Sequence, residues 1–346
     1  MSTHNEKVLV VLPTWVGDVA MATPMLRAIA NHYGEQQVAF LMYHHLEPIV
    51  SGNPWLKTTY FWPPKQAESP TYKRWLNTLR AQHFDIAILL PNSLRVAWFA
   101  WRIGAKRRVG YARDGRSPLL TDALPAPNRR SGRFDPLPLV DYYAHLAGYL
   151  GIPAPGDALT LHTNPSDTAR LAQRLQQADV PAEKPLVTLC PGAQFGASKC
   201  WHTDRFAEVA DALARHHDVA IVISPGPGEE PLAHEIAGFM QEPYLLLDEP
   251  CLSLGELKSL IQRSVLLLGN DTGPRHFARA FDTPRVTIFG PTEQRWTETS
   301  HNKETIVKVS VPCGPCHQKV CPEKERICMD RIQAKTVYDA CIPYVS

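Results

Sequence analysis

Short unbroken apolar runs, separated by segments of helical spacing, organise this chain. KVLVVLP at 7–13 has the β-branched, uninterrupted character of a strand covered on both faces, as in a parallel sheet. A glycine turn follows, and apolar residues at Val19, Ala22, Met25, Leu26 and Ile29 then repeat with the period of a helix from about Asp18 to His32. QVAFLM at 37–42 and DIAILLP at 85–91 continue the alternation. Near residue 150 the pattern lapses in LGIPAPGDALTLHTNPSD, whose three prolines and two glycines read as a linker. Beyond it come PLVTLCP (185–191), DVAIVISP (218–225), PYLLLD (243–248), SVLLLGND (264–271) and PRVTIFGP (284–291), with helical segments between them. The alternation predicts an α/β protein of two Rossmann-like domains, residues 1–160 and 161–346, each of a size that closes its own core.

With 44% hydrophobic and 20% charged residues, the composition excludes a disordered or fibrous chain. No apolar stretch is long enough to cross a bilayer, and MSTHNEK lacks the apolar segment of a secretory signal, so the expected location is the cytoplasm. The net charge of +2 says little, but its distribution does: nine Lys or Arg between Arg102 and Arg133 face only Asp114 and Asp122. That stretch reads either as an anion-attracting surface or as an ordinary solvated face.

Three strand-to-helix turns carry candidate chemistry. In PTWVGDVAMATP, Gly17 lets the backbone turn and Asp18 opens a helix, either as its N-cap or as a carboxylate able to take a proton from a sugar hydroxyl. In PGAQFGASKCW (191–201), Gly192 and Gly196 permit close approach to an anion and Lys199 offers a point charge to a diphosphate; the absence of Gly-Lys-Ser/Thr argues against a P-loop. In LLLGNDTGPRH, a strand ends at Asn270-Asp271 and a helix is expected from about Thr272, whose first amides, with that of Gly273, suit a phosphate. Asp271 suits a sugar hydroxyl or an amide there, and His276 is either core or ligand. FGPTEQRW brings Gly290 and Thr292 to the same sheet edge, Glu229 or Glu230 stands where an acid would hold ribose hydroxyls, and Leu252 is a candidate adenine contact.

Taken jointly and in order, PTWVGDVAMATPMLRA, PGAQFGASKCWHTDRFAEVA and GNDTGPRHFARAFDTPRVTIFGPT resemble the ADP-heptose:lipopolysaccharide heptosyltransferases, glycosyltransferases of family 9 with a GT-B fold. The resemblance runs from Val8 to about Thr292, and the WVGD and PGAxFGxxKxW forms are nearest to heptosyltransferase II. It implies two Rossmann-like domains facing across a cleft, the N-terminal one for the acceptor and the C-terminal one for the donor. The implied reaction is an inverting transfer of heptose from ADP-heptose to the inner core of lipopolysaccharide, with no catalytic metal. Asp18 matches the family's base, Lys199 the residue that neutralises the departing diphosphate, Asp271 a heptose contact, and Thr272 and Gly273 the phosphate-binding turn. The basic stretch, Arg107, Arg108 and Arg113 above all, would then meet a Kdo- and heptose-bearing lipid A acceptor at the inner membrane leaflet, placing the protein at that membrane's face.

Two features depart from the resemblance. Pro274-Arg275 stands where an apolar pair is expected before the histidine, and the tail PCGPCHQKVCPEKERICM spaces Cys313, Cys316, Cys321 and Cys328 as Cys-x2-Cys-x4-Cys-x6-Cys. Four such thiols suit a structural zinc, with His317 as a spare ligand, or paired cysteines, or reduced thiols; a reducing cytoplasm opposes disulfides. The cysteines and the basic stretch also fit a zinc-bearing nucleic-acid-binding or adaptor protein, but that reading leaves the strand-end turns without a purpose. Another GT-B transferase or a sugar-nucleotide epimerase is the alternative among enzymes; on the favoured reading no nucleic acid is bound.

Overall fold

The computed structural model describes residues 5–64, 68–130, 133–298 and 303–345. The chain divides into two compact units. One comprises the residues up to Leu161 with a short segment beginning at Arg295; the other runs from His162 to Gln294 and takes the remaining C-terminal residues.

The first unit is built on six strands: β1 (Val8–Val11), β2 (Val38–Met42), β3 (Thr58–Phe61), β4 (Ile86–Leu89), β5 (Arg107–Tyr111) and β6 (Asp122–Leu124). All pair in parallel, in the order β3-β2-β1-β4-β5-β6. A two-stranded antiparallel ribbon, β7 (Arg129–Arg130) and β8 (Arg133–Phe134), follows. The second unit repeats the plan with β9 (Leu186–Cys190), β10 (Ala220–Ile223), β11 (Tyr244–Leu246), β12 (Ser264–Asn270), β13 (Arg285–Phe289) and β14 (Glu304–Lys308), in the parallel order β11-β10-β9-β12-β13-β14. Each sheet therefore grows outward in both directions from its first strand. The crevices between β1 and β4, and between β9 and β12, are the switch points where such sheets receive ligands.

The central strands are buried on both faces, which is why their sequences are continuously apolar rather than alternating. The first helix runs Val16–Tyr33, capped by Trp15 with no side-chain bond, so Asp18 is the third residue of its first turn and not the cap. The phosphate-turn helix starts later than expected, at Pro274, with Gly273 as its cap, and ends at Ala280.

The basic stretch is not one face. Arg116 is fully buried and its guanidinium donates to the carbonyls of Tyr111 (2.9 Å) and Pro91 and to Asn92 Oδ1 (3.2 Å). Arg107 pairs with Asp122 at 2.9 Å, and Arg108 donates to the carbonyls of Leu119 and Ala105, both at 2.7 Å. Lys106 is held by Asp85 at 2.7 Å, and Arg113 lies 4.0 Å over the Phe134 ring. Arg107 and Arg108 thus tie β5 to β6 and its flanking loops, and Arg116 belongs to the interior, while Lys106, Arg107 and Arg129 remain exposed; residues 131–132 of the stretch lie outside the described residues.

Candidate functional site

The second unit's switch point is stitched by side chains. Asn270, the last residue of β12, is buried; its Oδ1 accepts from the Trp201 amide at 3.2 Å and its Nδ2 donates to the Pro191 carbonyl. The loop leaving β9 is thereby fixed against the end of β12. Within it, Ala197–Lys199 make one turn of 3-10 helix that delivers Lys199 to the crevice. Its side chain is only 12% exposed, which excludes a freely solvated lysine. Lys199 Nζ lies 2.6 Å from Asp271 Oδ2 and 2.9 Å from the Asp271 carbonyl. Two residues chosen separately from the sequence therefore meet, and the carboxylate's partner is the lysine.

The Asp271 pair is the outer end of a buried chain of alternating charge. Asp271 Oδ2 also accepts from Thr292 Oγ1 at 2.8 Å, and Oδ1 faces Arg275 Nη1 at 3.2 Å. Arg275 in turn grips Glu304 with Nε at 2.5 Å and Nη2 at 3.2 Å, and Glu304 accepts from Arg285 at 2.8 Å and from Thr287 at 2.7 Å. Burial by itself would raise the pKa of both carboxyls. The neighbouring cations outweigh it, holding Asp271 below the usual range and Glu304 down to about 2. Arg275 is thus neither a donor-facing charge nor a helix defect; it is an internal counter-ion. Glu304 and Arg285 went unnoticed in the sequence because each looks like an ordinary polar residue at the start of a short strand.

The other candidates are distributed around this point. Pro274 has no N–H, and the amides of Arg275 and His276 turn back onto the carbonyls of Thr272 and Gly273. The backbone donors at this turn are therefore the amides of Thr272 and Gly273 themselves. His276 is 5% exposed, and burial together with Arg275 pushes its imidazole down to about 3, so it is a neutral core residue and not a cation for phosphate. Gly192 leaves room for the Glu229 carboxyl: a Cβ there would stand 1.9 Å from it and displace it. Glu229 accepts from the Gly226 amide at 2.8 Å, yet burial still raises its pKa above the ordinary glutamate value. Glu230 accepts instead from Cys251 at 3.3 Å. Leu252 is buried just before the Ser253–Glu256 capping box that starts the helix Leu254–Arg263. Gly290 packs against Met329 and leads into Thr292.

The cysteine tail has a structural role that its sequence did not disclose. Its backbone lies on the Lys199 loop: the Ser198 amide donates to the Lys319 carbonyl at 3.2 Å, Ser198 Oγ donates to the Gln318 carbonyl at 2.5 Å, and a Cβ on Gly196 would come within 2.4 Å of the Lys319 carbonyl. Arg326 ties the same loop, donating to the carbonyls of Ala197 at 3.0 Å and Cys200 at 2.8 Å. Cys313, Cys316, Cys321 and Cys328 are free thiols lining one small cavity of about 50 Å³. Among the described residues, no three of these sulfurs lie within 4.8 Å of one another, so the tetrahedral set suggested by their spacing is not gathered.

In the first unit, Asp18 sits partly buried beyond β1, at that sheet's own switch point. Burial, and then the Asp18 charge, hold the Tyr143 hydroxyl well above its ordinary range, which places the carboxylate beside the helix Leu139–Tyr149.

The model of glycosyltransferase family 9 (heptosyltransferase) matches residues 73–327. The chain is 26% identical over 316 residues to lipooligosaccharide heptosyltransferase 2 of Haemophilus influenzae, covering 87% of this chain and 88% of that protein. Its fold matches a family 9 glycosyl transferase from Veillonella parvula, with a TM-score of 0.83, 19% identity and 100% and 98% of the two chains covered. It also matches E. coli ADP-heptose lps heptosyltransferase II, with a TM-score of 0.78, 22% identity and 98% of each chain covered. Two parallel Rossmann-like sheets of identical strand order make this a GT-B fold. The chain belongs to glycosyltransferase family 9, the heptosyltransferases.

Proposed function

We propose that the protein transfers heptose from ADP-heptose to the inner core of lipopolysaccharide, in the manner of heptosyltransferase II. The observation that carries this is the meeting of Lys199, Asp271 and Thr292 at the β9/β12 switch point of a family 9 chain. Residues 161–346 form the donor domain on this reading, and residues 1–160 the acceptor domain. Lys199 and the Thr272 and Gly273 amides bind the diphosphate, Glu229 takes the ribose hydroxyls, and the adenine lies near Leu252. Gly192 and Gly290 leave room for the Glu229 carboxyl and for Met329 beside the site. Asp271, already clamped by Lys199 and Thr292, orients the lysine and contacts the heptose.

Asp18 accepts the proton of an acceptor hydroxyl as its oxygen attacks the anomeric carbon, whose bond to the diphosphate oxygen breaks, and ADP leaves with the electron pair. Inversion follows from attack opposite the leaving group. A lysine and backbone amides supply the charge stabilisation that a leaving diphosphate needs, so the chemistry asks for no catalytic cation. The acceptor is a Kdo- and heptose-bearing lipid A at the cytoplasmic face of the inner membrane, and Arg107, Arg108 and Arg113 of the basic stretch meet its acidic groups on this reading. A structural zinc on Cys313, Cys316, Cys321 and Cys328 would need the sulfurs closer together than they stand here; metal analysis of purified protein against a Cys313→Ser, Cys316→Ser variant tests it.

A screen of nucleotide sugars, read by release of nucleoside diphosphate with purified inner-core acceptors, tests the function. Turnover restricted to ADP-heptose is expected. Equal turnover of a uridine- or guanosine-linked sugar would overturn the reading.

A further inference from the structure

The helix Leu94–Arg102 follows β4 and buries Val96, Ala97, Phe99 and Ala100 against the first unit's core. Its outer face ought to be polar. Instead it presents Leu94, Trp98 and Trp101, exposed by 51%, 39% and 52%, at spacings of four and three residues, which align them along one side of the helix. A single exposed leucine needs no explanation, but two tryptophans and a leucine in one stripe do.

The charges on this helix and on its neighbour are of one sign. The neighbouring helix Ser69–Arg80 lies alongside, with the Trp75 and Phe99 rings stacked at 5.2 Å and Arg80 Nη2 donating to the Arg102 carbonyl at 2.8 Å. Together the two helices carry Lys73, Arg74, Arg80, Arg95 and Arg102 and not one Asp or Glu. The Arg102 guanidinium lies 4.9 Å over the Trp98 ring, so charge and aromatic surface are interleaved.

We propose that this two-helix face docks the protein on an anionic phospholipid surface. Indole rings prefer the boundary between headgroups and acyl chains, while five basic side chains on two helices that carry no acidic residue are drawn to negatively charged headgroups. The same excess of positive charge opposes pairing of this face with a second copy of itself. The docking stands on the surface alone. Its purpose, bringing the catalytic unit to a lipid-borne acceptor, rests on the proposed function, so docking is tested on vesicles that contain no acceptor.

The experiment is co-sedimentation with extruded phosphatidylglycerol/phosphatidylethanolamine vesicles and with phosphatidylcholine vesicles. The intact chain should partition to the anionic vesicles and be released by salt. A Trp98→Ser, Trp101→Ser variant and, separately, a Lys73→Glu, Arg74→Glu variant should each partition at least about tenfold more weakly, with unchanged circular dichroism. Indole emission of the intact chain should shift to the blue on binding, and that shift should be lost in the tryptophan variant. Failure of the intact chain to bind, equal binding to both lipids, or undiminished binding by both variants would overturn the proposal. So would concentration-dependent self-association of the intact chain that the tryptophan variant abolishes, since a second copy would then cover the face.

Discussion

Replacing Glu304 by Gln tests the buried charge chain more sharply than any other substitution. The chain Lys199, Asp271, Arg275, Glu304, Arg285 holds three cations and two anions, a net charge of +1. Glutamine keeps the volume and can still accept from Thr287, but it raises the net charge to +2 and leaves two guanidiniums, 3% and 1% exposed, without the carboxylate between them. Breaking a buried pair by removing one partner costs about 3–5 kcal/mol. For a unit of this size that corresponds to a fall in melting temperature on the order of 10 °C. Arg275→Met should cost less, because Glu304 keeps Arg285 and Asp271 keeps Lys199. The sign of the pH dependence follows from Glu304, whose carboxyl is held down to about 2 from an ordinary 4.5. A depressed acid contributes fully above its unfolded value and loses that contribution as the pH falls from about 4.5 towards 2. Scanning calorimetry of both variants should therefore show the gap between the intact chain and Glu304→Gln wide at neutral pH and closing as the pH falls through that window. A shift under about 2 °C at neutral pH, the scale of an ordinary surface change, would refute the reasoning.

Two further outcomes follow from the site. Asp18→Asn should leave ADP affinity unchanged and lower turnover by about a hundredfold or more, measured by ADP release; retained turnover would leave Asp18 as a first-turn acid of its helix and nothing else. Gly192→Ala should drive the Glu229 carboxyl from its place, since its Cβ would fall 1.9 Å away, and weaken ADP binding at least several-fold by calorimetry; unchanged affinity would remove Glu229 from the ribose site.

The elements most legible in the sequence were those whose burial is complete. β1, β9, β12 and β13 are covered on both faces, so their apolar runs announced both the strand and the turn beyond it. β3, β5, β6 and β14 went unread because short or half-covered strands need little apolar sequence. RRVGY in β5 looked like part of a basic surface, although its two arginines spend their donors on Asp122 and on backbone carbonyls. In the site, Lys199, Asp271 and Thr292 were legible from strand-end turns. Arg275 was visible only as a departure, because its meaning depends on Glu304, 29 residues away and across the sheet. The support of the Lys199 loop by the cysteine tail was hidden for a related reason: most of it runs through backbone carbonyls, which carry no sequence signature.

At the centre of the account is the placement of a nucleoside diphosphate on Lys199 at the β9/β12 switch point. Calorimetric titration of ADP into the intact chain and into Lys199→Ala measures it most directly. The account predicts saturable binding of ADP by the intact chain and affinity at least about tenfold lower in the variant, the scale of one lost charge-assisted contact. Equal affinity in the two proteins would contradict it.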